Sequence, residues 1–375
     1  MRLLDEKCLS GNIESIAQYD FFHNKVYGSA YFVSQENHLD FGICYGTDLL
    51  SGEKISRNTL FRLASMTKPV TAIATLILVD RGLLSLDDAL EKYLPEFENI
   101  RIIDDQGNDC GVPAIRPTIR NILNHTSGIG SSEHKMQHMR AEDKESLDAS
   151  IAFFVREGLD FEPSTMQRYS GIGAFDVLAR IIEIVSNRTY LEFLTEEIFE
   201  PCNMVDTTFE PDAEQLGRLV CMHNLVEGKR VSHEMHNGCI YEDFPQKHYL
   251  GGAGLVSTLQ DYRNFSQMLL NHGRFQNRQL LREDIFNLLC TPQVSSDIMP
   301  GAERWGLGVR VIAEETYPFL PVGTFGWSGA YGTHFWIDPA NRIYAVFMKN
   351  SKFDGGSGNE SAVNFERAVY LSLKR

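Results

Sequence analysis

The sequence has no hydrophobic run long enough to cross a membrane, and its first residues lack the apolar core and cleavage site of a secretory signal. We therefore expect a cytoplasmic protein without a membrane partner. Basic residues are also few, since 35 Lys and Arg stand against 50 Asp and Glu and give a formal net charge of −15. A surface of that sign repels nucleic acid at long range. The expected partner is a small neutral molecule, and nucleic acid is not expected.

Paired cysteines are missing as well. The seven cysteines are odd in number, widely scattered and never spaced as C-x-x-C. We interpret them as reduced packing residues, not catalytic ones. They are Cys8, Cys44, Cys110, Cys202, Cys221, Cys239 and Cys290.

Internal repeats and low-complexity segments are absent too. A chain of 375 residues, 43% of them hydrophobic, can bury a large core in one domain or in two interlocked ones. Both ends are rich in β-forming segments, whereas the centre carries helical spacing. The pattern predicts a discontinuous sheet region, residues 1–60 and 300–375, into which a mainly helical region, residues 61–299, is inserted.

The individual elements follow from the same patterns. Residues 26–33 and 39–45 are predicted to form a hairpin around a polar turn. Further strands are predicted at residues 306–312, 333–338 and 342–348. A final helix, residues 360–373, should cover one face of the sheet, and residues 100–117 should form a surface loop or β-flap. Helical spacing in the centre covers residues 119–123, 149–155, 174–185, 191–198 and 259–270.

The most informative segment has the pattern S-x-x-K, with a hydroxyl at Ser65 and an amine at Lys68. Residues three apart share a helix face, so Lys68 Nζ can reach Ser65 Oγ. The following residues, 70–79, are apolar on nearly every side and predict a buried helix, while Pro69 restricts its start to the neighbourhood of Ser65. Free N–H groups and the positive dipole end at such a start favour a developing oxyanion. By itself the pattern fits a capping serine and a solvated lysine equally well.

Two other segments supply further candidate groups. Tyr169 lies on a loop before a predicted helix, where its phenol can face a cleft. A phenol beside a lysine ammonium is stabilised as phenolate and can accept and return a serine proton, although a single tyrosine is more often a packing residue. Residues 325–339 form a glycine-rich β segment. An edge strand here would offer a second N–H opposite the serine, because glycine lets backbone approach a ligand closely.

Taken together, these segments resemble the penicillin-recognising serine hydrolases, a family of class C β-lactamases, D,D-peptidases and the carboxylesterases often called family VIII. The resemblance covers almost the whole chain. It includes ILNHTSG at residues 122–128, PCNMVDTTF at residues 201–209 and GGAGLVST at residues 251–258. It implies an α+β fold, in which an antiparallel sheet flanked by helices carries an inserted all-helical region and the site lies between the two.

The resemblance also implies roles for individual residues. Ser65 would be acylated, Lys68 and Tyr169 would handle its proton, and water would release the acyl group. The backbone N–H groups of Ser65 and Ala330 would hold the oxyanion. The residues that it places beside the substrate are Gly171, Trp327, Ser328 and Gly329. No cofactor and no metal are expected.

The sequence departs from the family pattern at two of these positions. Relatives that act on penicillins and cell-wall peptides have Asn where this chain has Gly171, and Lys or His where it has Trp327. The first change removes a partner for a substrate amide, and the second removes the partner of a substrate carboxylate. A charge-assisted hydrogen bond contributes roughly 1.5 to 3 kcal/mol, so an anionic β-lactam should bind about ten- to a hundredfold worse unless Arg168, Arg304 or Arg310 compensates.

The Trp-Ser-Gly sequence resembles the Trp-Gly-Gly of family VIII esterases, so the predicted function is a serine esterase for neutral small esters or lactones. The alternatives among enzymes are a D,D-peptidase or D-aminopeptidase, a weak β-lactamase, and an acyltransferase in which an alcohol displaces water. The alternative outside enzymes is a penicillin-binding-type ligand sensor whose acylated serine never turns over. The oligomeric state does not follow from the sequence.

A metallohydrolase is a weaker alternative. His134 and His138 lie one helical turn apart, but the glutamate of an H-E-x-x-H motif is missing, and the histidines within residues 233–236 have the wrong spacing. His125 is interpreted as structural, because the amine and the phenol already fill the possible base role.

Overall fold

The structure of the chain, a computed structural model, describes residues 2–232, 244–315 and 319–374. Its strands, in chain order, are β1 (Gly28–Gln35), β2 (Leu39–Gly46), β3 (Leu60–Arg62), β4 (Ile102–Ile103), β5 (Asp109–Gly111), β6 (His223–Val226), β7 (Lys229–Ser232), β8 (Val256–Thr258), β9 (Arg274–Phe275), β10 (Arg278–Gln279), β11 (Glu303–Trp305), β12 (Arg310–Ile312), β13 (Phe325–Ser328), β14 (His334–Asp338) and β15 (Ile343–Met348). Its α-helices, in chain order, are α1 (Glu6–Phe22), α2 (Thr67–Asp80), α3 (Ile119–Leu123), α4 (Glu133–Met136), α5 (Leu147–Glu157), α6 (Gly173–Ser186), α7 (Tyr190–Leu194), α8 (Ala213–Arg218), α9 (Leu259–Leu270), α10 (Glu283–Cys290) and α11 (Glu360–Leu371).

Strands from both ends of the chain form one antiparallel sheet in the order β11-β12-β13-β14-β15-β1-β2. The predicted hairpin is confirmed as β1 and β2, with Gly28 opposite Gly46. The strand β1 also pairs with β15, which places Ala30 opposite Met348. Every residue of β14 and β15 is buried, which explains their nearly continuous apolar sequence, since a sheet covered on both faces needs no polar alternation. The α+β fold class is confirmed.

Helices cover both faces of this sheet. The helices α1 and α11 pack on one face, where Tyr31, Trp336 and Phe347 belong to their hydrophobic cluster. The helix α9 packs on the other face, whose side chains, such as Phe335, join the larger cluster built around α2 and α6. Phe335 and Trp336 are chain neighbours in different clusters because successive side chains of a strand point to opposite faces. The division of the chain at residues 60 and 300 stays a prediction.

Three elements differ from the sequence-based expectation. The helix α1 was not predicted, because its buried stripe consists only of Leu9, Ile13 and Ala17, besides one aspartate. The strand β13 is not an edge strand, since it pairs with both β12 and β14. Only its second half, Trp327 and Ser328, extends beyond the end of β12.

The third difference concerns the predicted strand at residues 306–312, of which only the end, β12, is extended. A tight turn occupies the first part, because Gly306 N–H donates to Val309 O over 2.9 Å. Gly308 has a φ of 77° there, a conformation that glycine adopts without steric cost.

The central helices agree closely with their predictions. The helices α3 and α9 have the predicted bounds, and each begins at a threonine N-cap, Thr118 and Thr258, whose side chain accepts a hydrogen bond from a backbone N–H. The predicted helix over residues 191–198 is divided into α7 and a π-helical turn, Thr195–Phe199. The flap at residues 100–117 contains the paired strands β4 and β5. In the part of the chain that the structure describes, no helix is long and apolar enough to cross a bilayer.

Candidate active site

Ser65 lies in a 3₁₀ turn, Ala64–Met66, directly before α2. The first twelve residues of α2, 67–78, are buried, as its apolar sequence predicts. Ala64 has a φ of 47°, which is uncommon for a residue with a side chain and strains the turn. Neighbouring backbone holds the turn in place, since Leu63 N–H donates to Leu255 O over 2.9 Å. The serine thus sits on a constrained turn at the start of a buried helix.

The amine of Lys68 is completely buried and has three hydrogen-bond acceptors. Its Nζ donates to Ser65 Oγ over 3.3 Å, to Gly171 O over 2.6 Å and to Gly252 O over 2.8 Å. An ammonium group has three donors and no acceptor, so this arrangement uses its full capacity. Gly252 allows the close approach, because a Cβ there would lie only 3.1 Å from Nζ.

The phenol of Tyr169 also reaches the serine. Its hydroxyl oxygen lies 2.8 Å from Ser65 Oγ. Trp327 Nε1 donates to the same phenol oxygen over 3.3 Å, and Lys68 Nζ lies 5.0 Å from the centre of the phenol ring. The phenol oxygen therefore lies between the serine hydroxyl and an indole N–H. The three predicted catalytic residues therefore meet, although they come from distant parts of the chain.

His125 packs against the ring of Tyr169. Its ring centre lies 4.7 Å from that of Tyr169, and its Nδ1 accepts a hydrogen bond from Ser170 N–H over 3.2 Å. Complete burial, with a smaller contribution from the charge of Lys68, holds the pKa of His125 well below its usual value. A neutral imidazole that packs on the Tyr169 ring agrees with a structural role.

Trp305 is a site residue that the sequence analysis missed. Its ring stacks on Tyr169 with the centres 5.8 Å apart and meets Trp327 edge-on at 4.6 Å. The two indoles and the phenol form one aromatic wall beside Ser65. The rarity of tryptophan was the sequence feature that could have pointed to Trp305, since the chain has only 3 tryptophans and two of them line this wall.

The glycine-rich segment brings a second backbone N–H near the serine turn. A Cβ on Gly329 would lie 2.3 Å from Leu63 O, so only glycine permits this contact with the turn that carries Ser65. Ala330 is the next residue and is exposed. Within residues 2–232, 244–315 and 319–374, neither the Ser65 N–H nor the Ala330 N–H has a hydrogen-bond acceptor. Both groups are available to a ligand oxygen.

The remaining predicted substrate residues have different surroundings. A Cβ on Gly171 would meet no atom within 4 Å, so the position faces open space. Trp327 is half-buried and faces Tyr169. Ser328 is buried, and its hydroxyl lies 2.8 Å from His334 Nδ1, on the opposite face of the strand from Trp327. Its predicted contact with substrate would therefore have to come from its backbone.

Each arginine considered as a substitute cation is paired with a carboxylate. Arg168 Nη1 lies 3.3 Å from Asp105, and Arg304 Nη2 lies 2.7 Å from Glu314. Arg310 is paired behind the sheet, 3.1 Å from Glu303. Each guanidinium therefore already has a protein carboxylate as its partner, which argues against an anionic substrate.

The histidine pair has no metal-site geometry. His134 and His138 have ring centres 5.2 Å apart, and His138 Nδ1 lies 2.9 Å from Glu157. Among the described residues, no three or more His, Cys, Asp or Glu side chains are placed to hold a metal ion. Residues 233–236 lie outside the described residues.

The chain is similar to known proteins over most of its length. The family model described as Beta-lactamase matches residues 9–364. Protein Rv1367c of Mycobacterium tuberculosis is 31% identical over 323 residues, 80% of each chain. Esterase EstB of Burkholderia gladioli is 26% identical over 386 residues and covers 95% of this chain and 94% of its own.

Among solved structures, the fold is similar to that of EstCE1, described as a hydrolase with promiscuous acyltransferase activity. The TM-score is 0.83 at 22% identity, and the match covers 97% of this chain and 99% of the other. At that identity the likeness establishes the shared fold.

Proposed function

The chain belongs to the β-lactamase family, and on that premise we propose that it hydrolyses neutral small esters or lactones through an acyl-enzyme on Ser65. Its relatives include proteins named as an esterase, an acyltransferase and a putative carboxypeptidase. The observation that carries the proposal is the position of Ser65 Oγ, 2.8 Å from the Tyr169 hydroxyl and 3.3 Å from Lys68 Nζ. A nucleophile within hydrogen-bond reach of its base is the arrangement that acyl transfer needs.

In the first half of the reaction, Ser65 Oγ attacks the ester carbonyl and its proton passes to the phenolate form of Tyr169. Lys68 Nζ, which donates to Ser65 Oγ and to two backbone carbonyls, holds the serine hydroxyl in place. The negative charge that develops on the carbonyl oxygen accepts hydrogen bonds from the Ser65 and Ala330 N–H groups. The tetrahedral intermediate then collapses, and Tyr169 returns the proton to the departing alcohol.

In the second half, water takes the place of the alcohol. Tyr169 accepts a proton from this water, which attacks the acyl carbonyl while the same two N–H groups hold the oxyanion. The bond to Ser65 Oγ breaks and the serine regains its proton, which releases a carboxylic acid.

Three features support a neutral substrate. The indole of Trp327 occupies the position where carboxylate-binding relatives carry a cation, and it donates its N–H to Tyr169. Gly171 has no side chain with which to bind a substrate amide. The name of one relative, Esterase EstB, points the same way.

A labelling experiment tests the proposal. A fluorophosphonate should modify Ser65, and Ser65→Ala should abolish both the label and ester turnover. Ser10→Ala removes a hydroxyl of α1 that donates to Glu14, and it serves as the control. Label on another residue, or undiminished turnover by Ser65→Ala, contradicts the proposal.

A substrate panel tests the preferred acyl group. Initial rates with a neutral aryl ester, a D-Ala-D-Ala peptide and a chromogenic cephalosporin should rank the ester first. A higher kcat/KM for the peptide or for the cephalosporin would favour the peptidase or the β-lactamase instead.

A further inference from the structure

A buried chain of polar side chains lies behind the strand that leads to Ala330. Ser328 Oγ lies 2.8 Å from His334 Nδ1, and His334 Nε2 lies 3.1 Å from Glu366 Oε1. Arg310 Nη2 donates to the same carboxylate oxygen over 3.1 Å. These four side chains, which we call the rear network, are 4%, 1%, 1% and 4% exposed in that order.

Glu366 is the acidic member of the rear network. Burial alone would raise the pKa of Glu366, but the hydrogen bond from His334 and the charge of Arg310 hold it below its usual value. Glu366 is therefore a carboxylate that accepts from both neighbours. Because Nε2 of His334 faces the Glu366 carboxylate and Nδ1 faces the Ser328 hydroxyl, the imidazole links these two side chains.

Apolar side chains already fill the surroundings of this network. Around Glu366, α11 packs on the sheet with apolar residues, including Phe365, Ala368 and Val369. A buried ion pair contributes little net stability compared with apolar side chains of the same volume, because each charge must first lose its hydration. What the network supplies is a fixed, directional link from α11 to Ser328.

The place of that link in the sheet connects it to the candidate oxyanion donor. Ser328 and His334 are also opposite each other in the backbone ladder, at the last pair between β13 and β14. Beyond this pair the chain enters the tight turn in which Gly329 contacts the carbonyl of Leu63. Ala330 is two residues from Ser328, so a shift of Ser328 moves the Ala330 N–H relative to Ser65.

A second polar link reaches the same turn from the loop before α11. Gly356 N–H donates to Gly329 O over 2.9 Å. In that loop, Asp354 lies 2.6 Å from the buried ammonium of Lys349 and 2.5 Å from the hydroxyl of Ser361 on α11. The helix α11 is thus joined to the turn from two sides.

We propose that His334 and Glu366 are positioning residues for the acyl-transfer reaction, which act through Ser328 to hold the Ala330 N–H in place for the oxyanion. This inference rests on the proposed function, because it needs an acylated Ser65. Neither residue touches the substrate. Their effect falls on transition-state stabilisation and leaves ground-state binding unchanged.

Kinetics of Ser328→Ala and Glu366→Gln test the inference. Each variant should lower kcat for a neutral aryl ester by about tenfold with KM nearly unchanged, since a misplaced oxyanion donor costs less than a deleted one. Affinity for an arylboronic acid, which forms a tetrahedral adduct on the serine, should fall by the same factor. If Glu366→Gln fails to fold, Ser328→Ala decides.

The matched control is Tyr370→Phe. The Tyr370 hydroxyl lies 2.8 Å from Asp338, so it joins the same helix, α11, to the far end of the same strand, β14. This variant should lose about as much thermal stability as Ser328→Ala and keep its kcat. Equal kcat in all three variants, with Ser65 still labelled, overturns the positioning role alone. A native protein with neither label nor ester turnover overturns the proposed function and this inference together.

Discussion

At the scale of the residue, Tyr169 and Lys68 are both close enough to Ser65 to take its proton, but their surroundings differ. The Lys68 amine donates to three oxygens, whereas the Tyr169 oxygen accepts a hydrogen bond from the Trp327 N–H. Accepting a proton therefore suits the phenol, and electrostatic support suits the lysine.

Removing the Tyr169 hydroxyl tests this assignment. Tyr169→Phe keeps the ring that packs on His125 and Trp305, so the aromatic wall should survive, while kcat for ester hydrolysis should fall by ~10² to 10⁴. Tyr93→Phe, which loses a hydroxyl bonded to Asp88, is the control. A loss below about threefold would move the proton-transfer role to Lys68 alone.

The open space at Gly171 permits a gain-of-function test. Gly171→Asn places an amide beside the Lys68 contact without a clash, because a Cβ there meets no atom within 4 Å. One added hydrogen bond should raise kcat/KM for a D-Ala-D-Ala peptide about tenfold relative to the ester. Gly171→Ala fills the same space without an amide. If the two variants have equal peptide-to-ester ratios, Gly171 does not set this preference.

At the scale of the element, α1 shows how tertiary packing can create a helix that local pattern does not predict. Its buried stripe is narrow, and the apolar residues that pack against it belong to β1 and α11. Of these two elements, α11 lies at the other end of the chain. By contrast, α3 and α9 can be predicted from the local sequence, since each combines a threonine N-cap with helical spacing.

Two glycine substitutions separate element stability from site geometry. Gly11→Ala lies inside α1, where an added Cβ meets no atom, so it should raise the free energy of unfolding by about 0.5 to 1 kcal/mol without changing kcat. Gly329→Ala would place a Cβ 2.1 Å from Thr333 Oγ1 and 2.3 Å from Leu63 O. It should therefore lower both stability and kcat. Thermal denaturation and ester kinetics of the two variants measure both effects, and a fully active Gly329→Ala would contradict the close contact.

At the scale of the whole molecule, buried histidines should make stability depend on pH. Burial lowers the pKa of His223 to about 4, although its hydrogen bond to Asn350 O favours the charged form. Below pH 6.5 the unfolded chain binds a proton that folded His223 does not, so this residue costs stability as the pH falls from about 6.5 to 4. Burial raises the pKa of Asp261 to about 6. The folded protein therefore binds this proton before the unfolded chain does, and Asp261 adds stability as the pH falls over part of the same range.

Comparison with His223→Asn isolates the histidine. Asparagine can still donate to the Asn350 carbonyl but does not titrate, so the variant should lose less stability than the native protein between pH 7 and pH 4. The difference should approach about 3 kcal/mol at most. Urea denaturation at several pH values measures it, and parallel curves for the two proteins would show that His223 does not titrate as its burial requires.

The sequence by itself determined the features that depend on neighbouring residues. The S-x-x-K spacing, the buried helix after it, the hairpin and the capped central helices all follow from local periodicity and capping, and the family resemblance joined Ser65, Lys68 and Tyr169 into one site. Only the tertiary structure decided which distant groups meet: Trp305 beside Tyr169, the three arginines with their carboxylates, and Ser328 with His334 and Glu366. The physical reason is that a side-chain hydrogen bond or ring contact depends on the packing of whole elements, and residues far apart in the chain carry no local signal of their partners.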